Sequence, residues 1–362
     1  EATSGIMITG SHNPKEYNGF KMTFNGIYNA YGEYIQDFKD LVKSLDFEEG
    51  NGNLINKNIE DKYIDYITSS IELGKYNPKV VVDCGNGTPS IIIKKVLDRL
   101  NINYIPLYCE SNPLYPNHHP DPSVEINLKD LKEKVLETNS SAGFAYDGDG
   151  DRVGLVDEKG NMVPVDHIMI IVIRNIIDKL PDKRILFDVK CSKALEDEIN
   201  KVGGIPICYR TGNSYMRAKV VEDNILFAGE LSGHVFFNDK FYGFDDGVYA
   251  SLRLIEILSH TGKTVSELLE GINKYYSTNE LKIETPDEIK FKKIDKVKEY
   301  CLNKGYNVLT IDGCKVLFDD GFALIRASNT GPNITTRFEA KTEARLKEIQ
   351  TEFEDIIHNI KL

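Results

Sequence analysis

Val80-Val-Val-Asp83, Tyr104-Ile-Pro-Leu-Tyr108 and Ala142-Gly-Phe-Ala-Tyr146 are short strand-like runs separated by helical stretches, Pro89 to Leu100 and Leu128 to Leu136. The same plan recurs further along. Ile185-Leu-Phe-Asp188 leads to a helical Lys193 to Val202, a strand Ile205-Pro-Ile-Cys-Tyr209, a helical Ser214 to Glu222 and a strand Ile225-Leu-Phe-Ala228. Short β-branched runs alternating with longer stretches of helical period imply right-handed βαβ units and a largely parallel sheet. Each copy ends in its most polar loop, Asp147 to Arg152 in the first and Gly229 to His234 in the second. In open α/β sheets ligands bind beyond the carboxyl ends of the strands, so these loops are the expected functional edge.

Aligned on those loops, Gly5-Ile-Met-Ile8 and the following Thr9-Gly-Ser-His-Asn-Pro14 form the end of another copy. On that alignment Ser11 closes a buried third strand, and the first two β-α units of its domain lie outside this chain. From about Tyr275 the composition changes, and the chain ends in an amphipathic helix, Thr342 to Asn359. A fourth polar loop, Arg326-Ala-Ser-Asn-Thr-Gly-Pro332, follows the strand-like Gly321-Phe-Ala-Leu-Ile325. The expected fold is therefore α/β: three related βαβ-type mixed-sheet domains, the first incomplete, plus a C-terminal α+β domain. The expected boundaries are 1–60 for the remnant carrying the serine loop, 61–158 for the domain of the Asp147–Arg152 loop, 159–272 for that of the Gly229–His234 loop and 273–362 for that of the Arg326–Pro332 loop.

The 362 residues are 41% hydrophobic, an ordinary fraction for a globular chain. The net charge of −12, with both signs interspersed, argues against nucleic acid as a partner, which needs a dense basic face. Six cysteines without a Cys-x-x-Cys pair read as reduced thiols of a cytoplasmic protein. The longest apolar run, Ile168-Met-Ile-Ile-Val-Ile173, is far short of the ~20 residues of a membrane span, so no membrane partner is expected.

Each loop has its own chemistry. Ser11 sits between polar neighbours at the end of an apolar strand, where its hydroxyl can face a ligand. Asp147-Gly-Asp-Gly-Asp151 spaces three carboxylates by two, so in an extended segment they share a face. Without a cation they would repel one another, and an all-oxygen set suits a hard divalent ion. Glu158 falls at the twelfth position of an EF-hand loop, but Arg152 replaces the glycine required at the sixth and the flanks read as strands. Mg²⁺ suits so few protein ligands better than Ca²⁺ does. Glu230 and Ser232, two apart, suit vicinal sugar hydroxyls, and His234 can exchange a proton near neutrality. Alone, that loop reads equally well as a polar turn with a satisfied histidine; the repeat tips it toward function. Arg326, Ser328, Asn329, Thr330 and Arg337 crowd donors around a Gly-Pro turn, as a phosphate dianion requires. Lys21, Arg152 and Lys190 are single basic residues at strand or loop ends.

These four motifs, in this order, resemble the α-D-phosphohexomutase superfamily over essentially the whole chain, most closely its bacterial phosphomannomutase/phosphoglucomutase branch. Thr9-Gly10 before the serine, Gly19-Phe20-Lys21 and Leu231 carry the branch assignment. The resemblance implies that Ser11 is a phosphoserine and a metal ligand beside Asp147, Asp149 and Asp151, with His12 as its neighbour. It implies that Lys21 is an active-site lysine, that Arg152 supports the phosphoryl group and that His234 is a candidate for proton transfer. Which of Lys21 and His234 acts in which direction stays open. Lys190, Glu230, Ser232, Arg326, Ser328, Asn329, Thr330 and Arg337 would bind substrate. Asn213 stands in the substrate site where close relatives usually carry a histidine. The implied reaction interconverts 6- and 1-phosphates of mannose or glucose, with Mg²⁺ and hexose 1,6-bisphosphate as intermediate and activator. The partner is a phosphorylated hexose, and the chain a monomer or homodimer. The competing readings are an inactive fragment lacking the front of domain 1, and a Mg²⁺-dependent sugar phosphatase.

Overall fold

The computed structural model describes residues 2–24, 30–328 and 331–360. It contains two compact units, residues 1–182 with 212–270, and residues 183–211 with 271–362.

The first unit is built on a five-stranded sheet in the order Tyr104–Leu107, Val80–Asp83, Ala142–Tyr146, Val153–Asp157, Met162–Val163. The first three strands are parallel and the last two antiparallel, so the sheet is mixed. Val80–Asp83 and Ala142–Tyr146 are buried along their whole length, which is why they read as unbroken apolar runs without alternation. Helix Lys129–Thr138 packs against this sheet through Leu131 and Val135. The approach is so close that a Cβ on Gly143 would stand 2.7 Å from both of those side chains. Helix Val165–Ile176 is apolar nearly all round, and its residues are correspondingly buried. Helix Gly247–Thr261 is likewise mostly buried and is capped by Asp246, whose carboxylate accepts from Tyr249 N at 2.8 Å. The strands Phe227–Gly229 and Val235–Phe237 form an antiparallel hairpin around the loop that carries Glu230.

At the front of this unit Ser4–Ile8 pairs antiparallel with Phe20–Phe24, placing Met7 opposite Lys21. Here the expectation of a buried strand is corrected. The hairpin forms a two-stranded sheet of its own, and Ile6 and Ile8 are 63% and 65% exposed. The helical run expected from Pro89 begins as a 3₁₀ turn, Thr88–Ile91, and becomes α-helical only over Ile93–Arg99.

In the second unit, Arg184–Asp188 and Ile205–Tyr209 pair in parallel, joined by helix Lys193–Lys201. Its larger part is an antiparallel sheet centred on Gly321–Ala327 and Asn333–Ala340, covered by helices Asp287–Asn303 and Glu343–Asn359. Ile294, Val297 and Cys301 from one helix and Ile349, Phe353 and Ile357 from the other point into one core, at the i, i+3/i+4 spacing of an amphipathic helix. Thr342 caps the last helix by accepting from Arg345 N at 3.2 Å.

Candidate active site

In the first unit the loops after the strands converge. Ser11 adopts a left-handed backbone, φ 52°, and its N–H donates to Thr9 Oγ1 at 2.8 Å. A β-carbon in that region is unfavourable for a non-glycine residue, and such strain is concentrated at functional positions. The Ser11 hydroxyl donates to Asp147 Oδ2 at 3.2 Å and lies 3.1 Å from His12 Nδ1. Thr9 Oγ1 donates to Asp149 Oδ2 at 2.9 Å. Only glycine fits at 148, since a Cβ there would sit 2.3 Å from Ser11 O.

The acidic loop turns on itself. Asp147 is fully buried, and its Oδ1 accepts from Gly150 N at 3.0 Å and Arg152 N at 3.1 Å. Burial pushes its carboxyl well above the usual range, and the neighbouring Asp151 and Asp149 charges add to the effect. Lys21 Nζ bridges Asp149 Oδ2 at 2.8 Å and Asp151 Oδ2 at 2.5 Å. Burial would lower the Lys21 ammonium, but those two carboxylates outweigh it and hold it above its ordinary value. Burial raises Asp151, but His234 and Lys21 outweigh it and the carboxyl falls well below the usual range.

The three aspartates place one carboxylate oxygen each within 4.8 Å of one another. The Oδ1 atoms of Asp149 and Asp151 are buried without a hydrogen-bond partner. Buried carboxylate oxygens normally find one. An all-oxygen donor set with two orphaned anionic atoms fits a hard divalent cation.

Residues of the Gly229–His234 loop close the same region. Arg152 and His234 form a β-bridge, and Arg152 Nε donates to His234 Nε2 at 3.2 Å. His234 Nδ1 lies 2.7 Å from Asp245 Oδ2 and 3.6 Å from Asp151 Oδ1. Burial alone would lower this imidazole, but Asp151 and Asp245 overcome it and raise its pKa to about 9. In the neutral ring Nδ1, facing the Asp245 carboxylate, carries the proton, and Nε2 accepts from Arg152. His12 is lowered, by burial first and by the Arg152 charge second. Asn213 opens helix Asn213–Glu222 and donates Nδ2 to Asp245, with His234 Nδ1 3.2 Å away. Glu230 is buried and accepts from Gly212 N at 2.6 Å, while Ser232 is half-buried. A cleft of about 1090 Å³ opens onto Lys21, Asp149, Asp151, Arg217 and Asp245.

The remaining sequence-predicted residues lie in the second unit. Arg326 Nε donates to Asp312 Oδ2 at 2.9 Å. Arg337 donates to the carbonyl of Lys190, whose own Nζ lies 3.1 Å from Glu280 Oε1. Ser328 Oγ accepts from Gly331 N at 3.2 Å, and Lys290 Nζ donates to the Ser328 and Gly331 carbonyls at 2.7 and 3.0 Å, fixing that turn. Asn329 and Thr330 lie outside the described residues. Sequence reasoning missed Asp245, Asp312 and Lys290. Asp245 carried the only readable signal, because it precedes the Asp246-Gly247 helix start.

A mixed-sheet α/β chain that joins a serine loop, an acidic loop and a buried histidine has the architecture of a phosphoryl-transfer enzyme. Four domain families match in order, all from phosphoglucomutase/phosphomannomutase: alpha/beta/alpha domain I over residues 1–49, domain II over 61–160, domain III over 164–275 and the C-terminal domain over 280–356. A phosphomannomutase/phosphoglucomutase of Pseudomonas aeruginosa is 40% identical over 353 residues, 98% of this chain and 76% of that protein. A phosphoglucomutase of Neisseria meningitidis is 39% identical over 360 residues, covering 98% and 78%. The crystal structure of a family protein from Burkholderia thailandensis superposes with a TM-score of 0.91 at 38% identity, covering 98% of this chain and 76% of that one. The chain belongs to the phosphoglucomutase/phosphomannomutase family of the α-D-phosphohexomutase superfamily. Its function is that of a hexose phosphate mutase, an intramolecular phosphotransferase. No helix among the described residues is long and apolar enough to cross a membrane.

Proposed function

We propose that the chain interconverts the 6- and 1-phosphates of glucose or mannose through phosphorylated Ser11 and a hexose 1,6-bisphosphate. The observation that carries this reading is the hydrogen bond from the Ser11 hydroxyl to Asp147, which joins the serine loop to the acidic loop. The serine phosphoryl passes to the free sugar hydroxyl, which loses its proton, and Ser11 Oγ later takes back the opposite phosphate. Between the two transfers the bisphosphate turns end for end.

Asp147, Asp149 and Asp151, with the Ser11 phosphoryl oxygen, would hold Mg²⁺. Bound there, it would neutralise charge on the transferring group. Lys21 and Arg152 supply fixed positive charge beside the same group, so less charge builds up as the phosphoryl moves. His234, with Nδ1 held by Asp245, would take or return the hydroxyl proton at Nε2, once Arg152, which donates to that nitrogen here, turns to the phosphoryl group. Lys21 is the other proton-transfer candidate. Glu230 and Ser232 position sugar hydroxyls. Asn213 supports the histidine through Asp245 rather than acting as a second imidazole. Lys190 contacts the substrate, and Arg326, Ser328, Asn329, Thr330 and Arg337 hold the phosphate that is not reacting. The four domains 1–60, 61–158, 159–272 and 273–362 divide these roles in that order, and the enzyme works in the cytoplasm.

The test is a coupled assay of the full chain with glucose 1-phosphate, Mg²⁺ and glucose 1,6-bisphosphate, alongside mass spectrometry of the Ser11 peptide. Glucose 6-phosphate formation that Ser11→Ala abolishes, with a phosphorylated Ser11 in the parent, is the expected result. Release of inorganic phosphate in its place would overturn the mutase mechanism, and neither product would make this chain an inactive fragment.

A further inference from the structure

Two cysteines meet at a place where phosphoryl transfer has no use for a thiol. Cys84 follows the strand Val80–Asp83 and Cys109 follows Tyr104–Leu107, and these strands are parallel neighbours. Their sulfurs lie 3.2 Å apart, both as free thiols. Cys84 has no exposure, whereas Cys109 keeps 7%. A disulfide needs about 2.05 Å between sulfurs, so roughly an ångström of closure separates the thiol pair from a bond.

The backbone beyond these sulfurs leads to the acidic loop. Cys84 N donates to Leu107 O at 3.2 Å and Asn86 N to Tyr108 O at 2.9 Å, tying the two strand ends together. Gly85 and Asn86 turn through consecutive left-handed conformations, φ 49° and 62°. The turn then delivers Thr88, whose N–H and hydroxyl both donate to Gly148 O, at 2.9 and 3.1 Å. Gly87 passes so near that a Cβ there would stand 2.9 Å from the same oxygen. Gly148 lies between Asp147 and Asp149. A movement of Cys84 therefore has a short, rigid route to the carboxylates.

We propose that Cys84 and Cys109 are a redox modification site, oxidised by hydrogen peroxide to a disulfide that weakens cation binding at the acidic loop. The second half rests on the assignment of that loop as the cation site. Cys109, the less buried of the two residues, attacks the peroxide oxygen as its thiolate. An S–O bond forms, the O–O bond breaks, and hydroxide leaves to become water. Cys84 then displaces hydroxide from the sulfenic sulfur, forming the S–S bond and giving up its proton to a second water. Two thiols lose two electrons and two protons, and one peroxide becomes two waters.

The experiment treats the full chain with hydrogen peroxide, maps non-reduced peptides by mass spectrometry, and titrates Mg²⁺ calorimetrically before and after treatment. The expected result is a linked Cys84–Cys109 peptide that dithiothreitol releases, with Mg²⁺ bound about tenfold more weakly in the oxidised form. The double variant Cys84→Ser/Cys109→Ser should keep its affinity in peroxide. Should it fold poorly, Cys84→Ser alone should stop at a sulfenic acid on Cys109 that dimedone traps. Absence of the linked peptide overturns the proposal. So does a linked peptide with unchanged affinity, or an equal loss in the double variant. If the reduced protein binds no Mg²⁺, the cation assignment of the loop falls with the second half, and the peptide map still decides the pairing.

Discussion

Asp245 Oδ2 lies 2.7 Å from His234 Nδ1, and the same oxygen accepts from Asn213 Nδ2. The carboxylate fixes both the orientation of the ring and the nitrogen that carries its proton, as partners of functional histidines commonly do. Asp245→Asn keeps the shape but can present an N–H to Nδ1, favouring the other tautomer. The expected outcome is a fall in kcat on the order of 10- to 100-fold with KM little changed. Steady-state kinetics in the coupled assay check it. An unchanged kcat would remove His234 from proton transfer or Asp245 from its support, and His234→Ala tells the two apart.

Lys21 holds the Oδ2 atoms of Asp149 and Asp151, the two carboxylates whose Oδ1 atoms would face a divalent cation. Removing its charge takes a repulsive neighbour away from the cation, while removing a donor from the transferring phosphoryl group. Lys21→Met should therefore bind Mg²⁺ more tightly, by about tenfold or more even at a dielectric near that of water, and lose ~10²-fold or more in kcat. Opposite movements of affinity and rate are the signature. Calorimetric titration and kinetics on one preparation would expose a merely structural lysine, which would lower both together.

The site was legible where chemistry is written contiguously. Asp147, Asp149 and Asp151 announce themselves by spacing, and Ser11 by its place after an apolar strand, because a strand end and its loop are one local event. The partners were not legible. Asp245 reaches His234 after a hairpin and a bridge from Phe236, and Asp312 reaches Arg326 only because two antiparallel strands bring them side by side. A single carboxylate in a polar loop has no period to betray it. Cys84 and Cys109 escaped notice for the same reason, since only strand register juxtaposes them. Burial of Ser4–Ile8 was misjudged because apolar composition states what a strand could bury, and packing decides what it does bury.

Asp246 gives a stability prediction with a definite sign. It is buried, accepts from Tyr63 Oη at 2.6 Å, and has its pKa raised to about 6, chiefly by burial. The folded state thus holds this proton more tightly than the unfolded chain, whose aspartate titrates near 3.9. The contribution is present in full below about pH 4 and is lost as pH rises through about 6. Asp246→Asn keeps a helix cap without the titration. The stability of the parent relative to Asp246→Asn should therefore fall between pH 4 and pH 7, by an amount on the order of 2 kcal/mol. Denaturant unfolding of both proteins at the two pH values measures it, and a constant difference would contradict the raised pKa.

Arg326 separates binding from chemistry. The residue is buried, and Asp312 aims its guanidinium by accepting from Nε at 2.9 Å and from Nη2 at 3.5 Å. The phosphate it is proposed to hold is the one not reacting, so the contact is the same in the ground state and the transition state. Loss of such uniform binding raises KM without lowering kcat. Lysine keeps the charge but not the planar fork that grips two oxygens at once. Arg326→Lys should raise KM for glucose 1-phosphate by about tenfold, equivalent to about 1.4 kcal/mol, with kcat within a few-fold of the parent. Thermal unfolding of the variant guards against a folding defect at this buried position. A fall in kcat at constant KM would place Arg326 on the transferring phosphoryl group instead, and the roles of the two phosphates would have to be exchanged.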